Sequence, residues 1–155
     1  MGREICLVLP YPISANRYWR SFVPRGASRA ITCVSDEAKQ YKKDVSLLAI
    51  SAGLREPILG RVHVDIRLYP KRPQDWQRRA RLDPDAWMDT VQCIDLDNAR
   101  KVLNDALKDI AFGDDKWIKR DSGEICTPDD KGARVVVTIR SLDRSRTSCQ
   151  SDPAT

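Results

Sequence analysis

The sequence predicts an α+β protein: a single domain with one mixed β-sheet and helices packed on one face. Three observations carry that expectation. Apolar and polar residues alternate over Val62–Tyr69 and again over Arg134–Arg140, the period of half-buried strands. Apolar residues recur at helical spacing from Ala38 to Ala52 and from Leu96 to Ile110. The elements follow one another as strand, helix, strand, helix and a final pair of strands, an order that fits helices covering one sheet.

The first strand runs from Glu4 to Leu9 and is stopped by Pro10. Pro12 to Thr32 carries Arg17, Arg20, Arg25 and Arg29 without an acid, interleaved with Tyr18, Trp19 and Phe22, and reads as a basic aromatic loop. Ser35 before Asp36 and Glu37 gives an N-cap and an acidic first turn. The helix that follows buries Ala38, Tyr41, Val45, Leu48, Ala49 and Ala52, and Gly53 ends it. Pro70 ends the strand over Val62–Tyr69. A short helix is expected near Gln74–Ala80, beside a basic cluster at Arg78, Arg79 and Arg81. Leu96, Ala99, Val102, Leu103, Ala106, Leu107 and Ile110 trace the stripe of the next helix, with Asp97 as its expected N-cap and Gly113 as its stop. Lys116–Cys126 and Arg134–Arg140 read as two antiparallel segments joined by a turn at Pro128–Gly132. The domain is expected over residues 1–142, with a flexible polar tail at 143–155.

A chain of 155 residues is long enough to bury a core without a disulfide or metal staple. Hydrophobic residues at 41% and charged residues at 32% exclude wholesale disorder. No apolar run reaches the roughly 20 residues of a membrane-spanning helix, and no secretory signal is read at the N-terminus. Five cysteines, odd in number and without C-x-x-C spacing, are expected to be free thiols in a reducing cytoplasm. The net charge of +5 permits an anionic partner without naming one.

The densest chemistry lies in Asp95-Leu96-Asp97-Asn98 and in Asp114-Asp115, with an amphipathic helix between them. Converging carboxylates repel one another and call for a cation, and an all-oxygen set suits Mg²⁺, or Mn²⁺, better than zinc. A metal held there could orient water against a phosphodiester, and Lys101, one turn past Asp97, could face the same phosphate. The helix, however, carries the chain about 20 Å away. The acids meet if two subunits place them side by side, or if the helix is short or bent and the approach is diagonal across the sheet, which is the expectation favoured here. The plain alternative is an Asp97 that caps a helix and an Asp114-Asp115 that forms a solvated turn.

Leu9-Pro10-Tyr11-Pro12-Ile13-Ser14-Ala15-Asn16-Arg17-Tyr18-Trp19-Arg20 resembles the N-terminal signature of RusA-type Holliday junction resolvases. Asp95-Leu96-Asp97-Asn98, Lys101, Asn104-Asp105-Ala106-Leu107 and Asp114-Asp115 resemble the same family's catalytic segment, in the same order. The resemblance implies a RusA-like fold and a homodimeric endonuclease of DNA recombination and repair. Such an enzyme binds four-way DNA junctions and nicks opposing strands with Mg²⁺. It assigns Asp95, Asp97 and Asp115 to the metal and Lys101 to catalysis, despite the intervening helix. The basic aromatic loop, with Asn16, Arg17, Tyr18, Trp19, Arg20, Arg25 and Arg29, is the expected DNA-binding segment. The family often carries arginines directly before D-L-D-N, where this chain has Val91-Gln92-Cys93-Ile94. The resemblance is interrupted at Lys71 to Cys93, and either Arg78, Arg79 and Arg81 provide a displaced basic surface or junction binding is weaker. The segment from the helix to Asp114 is also one residue shorter than the best-known pattern, which makes Asp115 over Asp114 a preference. Two nicks on a symmetric junction match two sites related by a twofold axis.

His63, the only histidine, sits inside a regular strand and is expected to serve the sheet rather than a proton transfer. Trp19 is the stacking candidate of the loop, unless it pins the loop to the body. Two rival functions remain at this level: a non-catalytic DNA-binding module with structural aspartates, and a metal-dependent enzyme acting on a small phosphate. Against the second, the chain has no Walker-type glycine loop and no dinucleotide fingerprint.

Overall fold

The computed structural model describes residues 2–142; the expected tail at 143–155 lies outside them. In chain order the elements are β1 (Glu4–Pro10), α1 (Ala15–Tyr18), β2 (Trp19–Phe22), β3 (Ile31–Val34), α2 (Asp36–Ser51), β4 (Val62–Tyr69), α3 (Trp76–Leu82), α4 (Leu96–Leu107), β5 (Ile118–Ile125) and β6 (Arg134–Ser141). The main sheet is ordered β1-β6-β4-β5 and is mixed: β6 is antiparallel to both β1 and β4, and β5 is parallel to β4. One face carries Leu7, Leu9, Val64, Ile66, Leu68, Val135, Val137 and Ile139 into the core, where they meet Val45 and Ala49 of α2 and Val102 and Leu103 of α4. The other face bears Glu4, Cys6, His63, Asp65, Arg67, Thr138 and Arg140, which line a cavity of about 460 Å³, and among the described residues no helix covers it. This is the α+β architecture that the alternating and helical periods predict.

The C-terminal strands differ from the expected pair. β5 and β6 do not bond to each other; β4 lies between them. β6 alternates buried Val135, Val137 and Ile139 along its length and belongs inside the sheet, whereas β5 (IKRDSGEI) is polar on both faces and suits an edge. β5 is also continuous through Ser122 and Gly123, and its irregularity falls opposite Val62/His63 instead. A parallel β4–β5 pair needs a crossover, and α3 with α4 supplies it.

The segment expected as a loop is largely ordered backbone. α1 leads into a two-stranded hairpin, β2 with β3, in which Trp19 pairs with Val34 and Phe22 with Ile31. In α2 the cap is Ser35, whose hydroxyl accepts the Ala38 N–H. Its buried stripe is narrower than expected, because Leu48 and Ala52 are exposed. α4 is capped by Asp95 rather than Asp97, and it ends at Leu107, where Lys108 turns extended and Asp109 takes φ 66°, the left-handed region that Asp tolerates better than most side chains. Cys6, Cys33, Cys93 and Cys126 are free thiols.

Candidate active site

The N-terminal half of α4, with its cap, carries three of the four expected catalytic residues, Asp95, Asp97 and Lys101. The carboxylate of Asp95 accepts the Asn98 N–H at 2.7 Å and the Asn98 side-chain amide at 3.0 Å. Asp97 lies in the first turn and meets Lys101 at 3.3 Å, both side chains largely in solvent. An ion pair so exposed adds little to stability, which leaves both groups free for another partner. Arg100, on the next position round the helix, forms an ion pair with Asp121 of β5 at 2.7 Å and ties this end of α4 to the sheet.

A second contact fixes the approach to Asp95. The Tyr11 hydroxyl accepts the Ile94 backbone N–H at 2.7 Å and lies 3.6 Å from the Cys93 sulfur. Burial, reinforced by Cys93 and opposed by the Ile94 N–H, pushes the Tyr11 phenol up to about 12, so it stays protonated. Tyr11, Ser14, Arg17, Lys71, Asp95 and Asn98 share a cleft of about 690 Å³. Lys71 and Gln92 continue into a neighbouring groove of about 410 Å³ with Arg72, Arg79 and Thr90. The 71–93 segment therefore adds a basic extension to the cleft that holds Asp95. Tyr11, Asn98, Lys71 and Arg72 were missed as site residues. Tyr11 stood in the quoted N-terminal motif, whereas Lys71 and Arg72 follow Pro70 with no local pattern to single them out.

Asp115 is elsewhere. α4 spans 12 residues without a break, about 18 Å. β5 runs back along it, so that Gly123 lies against Leu96 and Arg100 while Ile118 starts at the far end. Asp115 opens a 3-10 turn just before Ile118, and is therefore at the C-terminal end of α4. Among the described residues no three His, Cys, Asp or Glu side chains gather as a metal site. The expectation of a short or bent helix closing the gap within one chain is thus corrected: α4 runs unbroken over 12 residues and holds the two ends apart. The hard oxygen donors of Asp95 and Asp97 suit Mg²⁺ in kind but are too few in one chain. Asp114 and Asp115 also differ. Asp114 caps the turn by accepting the Lys116 N–H at 3.2 Å, whereas Asp115 is exposed.

The basic residues divide as well. Arg20, Arg25, Arg29, Arg78 and Arg81 are exposed, as is Asn16. Arg17 is exposed but paired with Glu37. Arg79 is held by Asp75 at 2.9 Å and by the Thr90 carbonyl at 3.1 Å, so it braces the 75–90 segment. Tyr18 is a correction. Its ring is fully buried and its hydroxyl donates to Asp105 of α4, which also meets Lys42 of α2 at 3.0 Å. Burial and Asp105 both raise its pKa, and the side chain pins α1 to the helices rather than reaching outward. Trp19 packs edge-on against Tyr18 with centroids 4.6 Å apart and is half-buried, which fits a pin better than an open stacking platform. His63 bonds Ser122 at 2.8 Å on the open sheet face, where Ser122 also donates to Asp65.

On this mixed α+β sheet, Asp95, Asp97 and Lys101 stand at an exposed helix N-terminus, and Asp95 lines a cleft together with Arg17 and Lys71. The family model for endodeoxyribonuclease RusA matches residues 10–140, nearly the whole described chain, and the protein belongs to that nuclease family. No curated protein matches the chain. No helix among the described residues is long and apolar enough to cross a membrane.

Proposed function

We propose that this nuclease resolves four-way DNA junctions as a homodimer with Mg²⁺, Asp95 and Asp97 of one subunit acting with Asp115 of the other. The single observation behind the reading is the split of the acids between the two ends of α4, beside a cleft whose cations suit a DNA backbone. Two carboxylates in one chain are a poor cage for a divalent ion, and a third from a symmetry mate completes the set. Mg²⁺, when bound, supplies polarisation of the scissile phosphate and activation of water. Asp95 is oriented by Asn98 and by the Tyr11–Ile94 contact. Lys101 neutralises charge developing on the phosphate, having been held near its place by Asp97. Lys71, Arg72 and the exposed arginines position the strands.

Complementation between inactive variants tests the reading. Asp97→Asn and Asp115→Asn should each fold and bind junction DNA while cleavage collapses, with Asp95→Asn alike and Asp114→Asn milder. Mixing the first two lets heterodimers form in which one of the two sites is intact, so Mg²⁺-dependent nicking should return. Two inactive variants that stay inactive when mixed, although exchange of subunits is demonstrated, would exclude a shared site. Full cleavage by either variant alone would exclude its carboxylate, and binding without cleavage by the unmodified protein would leave a junction-binding module.

A further inference from the structure

The geometry points to β5 as the seam of the dimer, joined antiparallel to β5 of a second copy with the twofold axis through Ser122; this rests on the dimeric reading above. Among the described residues β5 is hydrogen-bonded to β4 on one side only, and its other edge has no strand beside it. In the β4–β5 register Arg120 lies beside His63, Ser122 beside Asp65 and Glu124 beside Arg67, all on the open face of the sheet. Asp121 and Gly123 point the other way, toward Arg100 and Leu96.

Directly opposed residues of an antiparallel pair share a face, so a twofold axis must pass through a residue that opposes itself. An axis at Asp121 sets two carboxylates against each other, and one at Arg120 sets two guanidiniums against each other. An axis at Ser122 opposes two hydroxyls, and it places Arg120 against Glu124 of the partner subunit, twice by symmetry. Among the described residues neither Arg120 nor Glu124 has an ion-pair partner, Arg67 being drawn to Asp65 at 3.7 Å. The irregularity at Lys119 falls outside the paired stretch 120–124. The strand is therefore complementary in charge to its own reverse.

The same register solves the separation of the acids. α4 starts beside Gly123 and ends near the start of β5. Inverting the strand about Ser122 brings the start of one β5 beside the end of the other. Asp115, three residues before Ile118, then reaches the end of the assembly where Asp95 and Asp97 of the partner subunit begin their helix. Pairing through β1, the other edge, leaves each Asp115 three strands from the seam, about 14 Å at the usual spacing.

Charge reversal on the full chain, read by sedimentation velocity with and without a four-way junction, tests the seam. Arg120→Glu and Glu124→Arg each turn two attractive cross-strand pairs into repulsive ones and should raise the dimer dissociation constant by about tenfold, while the double variant should return near the original value. Both side chains are exposed, and far-UV circular dichroism should be unchanged. As a second reading, Ser122→Cys should give, on mild oxidation, a dimer whose disulfide maps to 122–122. A dimer indifferent to both single reversals and not linked at 122 overturns the seam and leaves the shared site standing. A chain that stays monomeric even on the junction overturns both.

Discussion

The hydroxyl of Tyr11 accepts the backbone N–H of Ile94 across 83 residues of sequence, at 2.7 Å. That bond joins the Pro10-Tyr11-Pro12 turn to the residue preceding Asp95, so the two motifs of the chain act as one unit. Tyr11→Phe keeps the ring and leaves the Ile94 N–H without its acceptor, costing about 1–2 kcal/mol of stability. If the bond positions Asp95, the Mg²⁺ concentration for half-maximal single-turnover cleavage should also rise. Junction affinity measured without metal should not change. A lowered Tm with an unaltered Mg²⁺ dependence would make the contact structural only.

Much of this arrangement was legible because it depends on local periods. The alternation in β4 and β6 and the stripe of α4 follow directly from burying one face. Pairing was less legible. Nothing in the run from Lys116 to Cys126 states that its neighbour is the distant β4 rather than the adjacent β6; that choice follows from which strand carries enough apolar residues for the sheet interior. Tyr18 misled for a related reason. Four arginines around it describe a surface, yet the short helix α1 turns this one side chain inward to Asp105. The acids of the site were legible as residue types, but their separation depends on the uninterrupted length of α4.

Salt dependence should separate the arginines that touch DNA from those that brace the fold. Arg20, Arg25 and Arg29 are exposed, and contacts from them to phosphates release counterions. Neutralising the three together should weaken junction binding and flatten the slope of log affinity against log salt by roughly one unit per lost contact. Arg79→Ala should act differently, lowering thermal stability because Asp75 and Thr90 lose their partner. An unchanged salt slope in the triple variant would remove the β2–β3 hairpin from the DNA interface.

The turn before β6 should confer a stability that disappears in acid. Arg134 grips Asp129 through two hydrogen bonds at 2.7 Å, and this holds the Asp129 carboxyl down at about 2. A carboxyl depressed in the folded state stabilises it above the unfolded value of about 3.9, and the contribution is lost as pH falls through the folded value. Asp129→Asn should therefore lower Tm near neutrality, and the difference from the unmodified chain should shrink between about pH 4 and pH 2. A difference that is constant across that range would attribute the effect to packing of the turn instead.

Lys101 separates catalysis from general positive charge. It sits one turn inside α4, near the positive end of the helix dipole, where a cation adds nothing to helix stability. Its partner Asp97 is itself exposed, so the pair is not retained for the fold. What remains is a cation held about 3.3 Å from Asp97, a carboxylate proposed to hold the metal. Lys101→Met keeps the apolar stem and removes the charge. The variant should fold, dimerise and bind the junction. Single-turnover cleavage at saturating enzyme should fall by about tenfold to a thousandfold, the range that corresponds to a few kcal/mol of lost transition-state stabilisation. Weaker binding with an unchanged cleavage step would reassign Lys101 to holding the strand, and a normal rate with normal binding would leave it a solvated helix lysine.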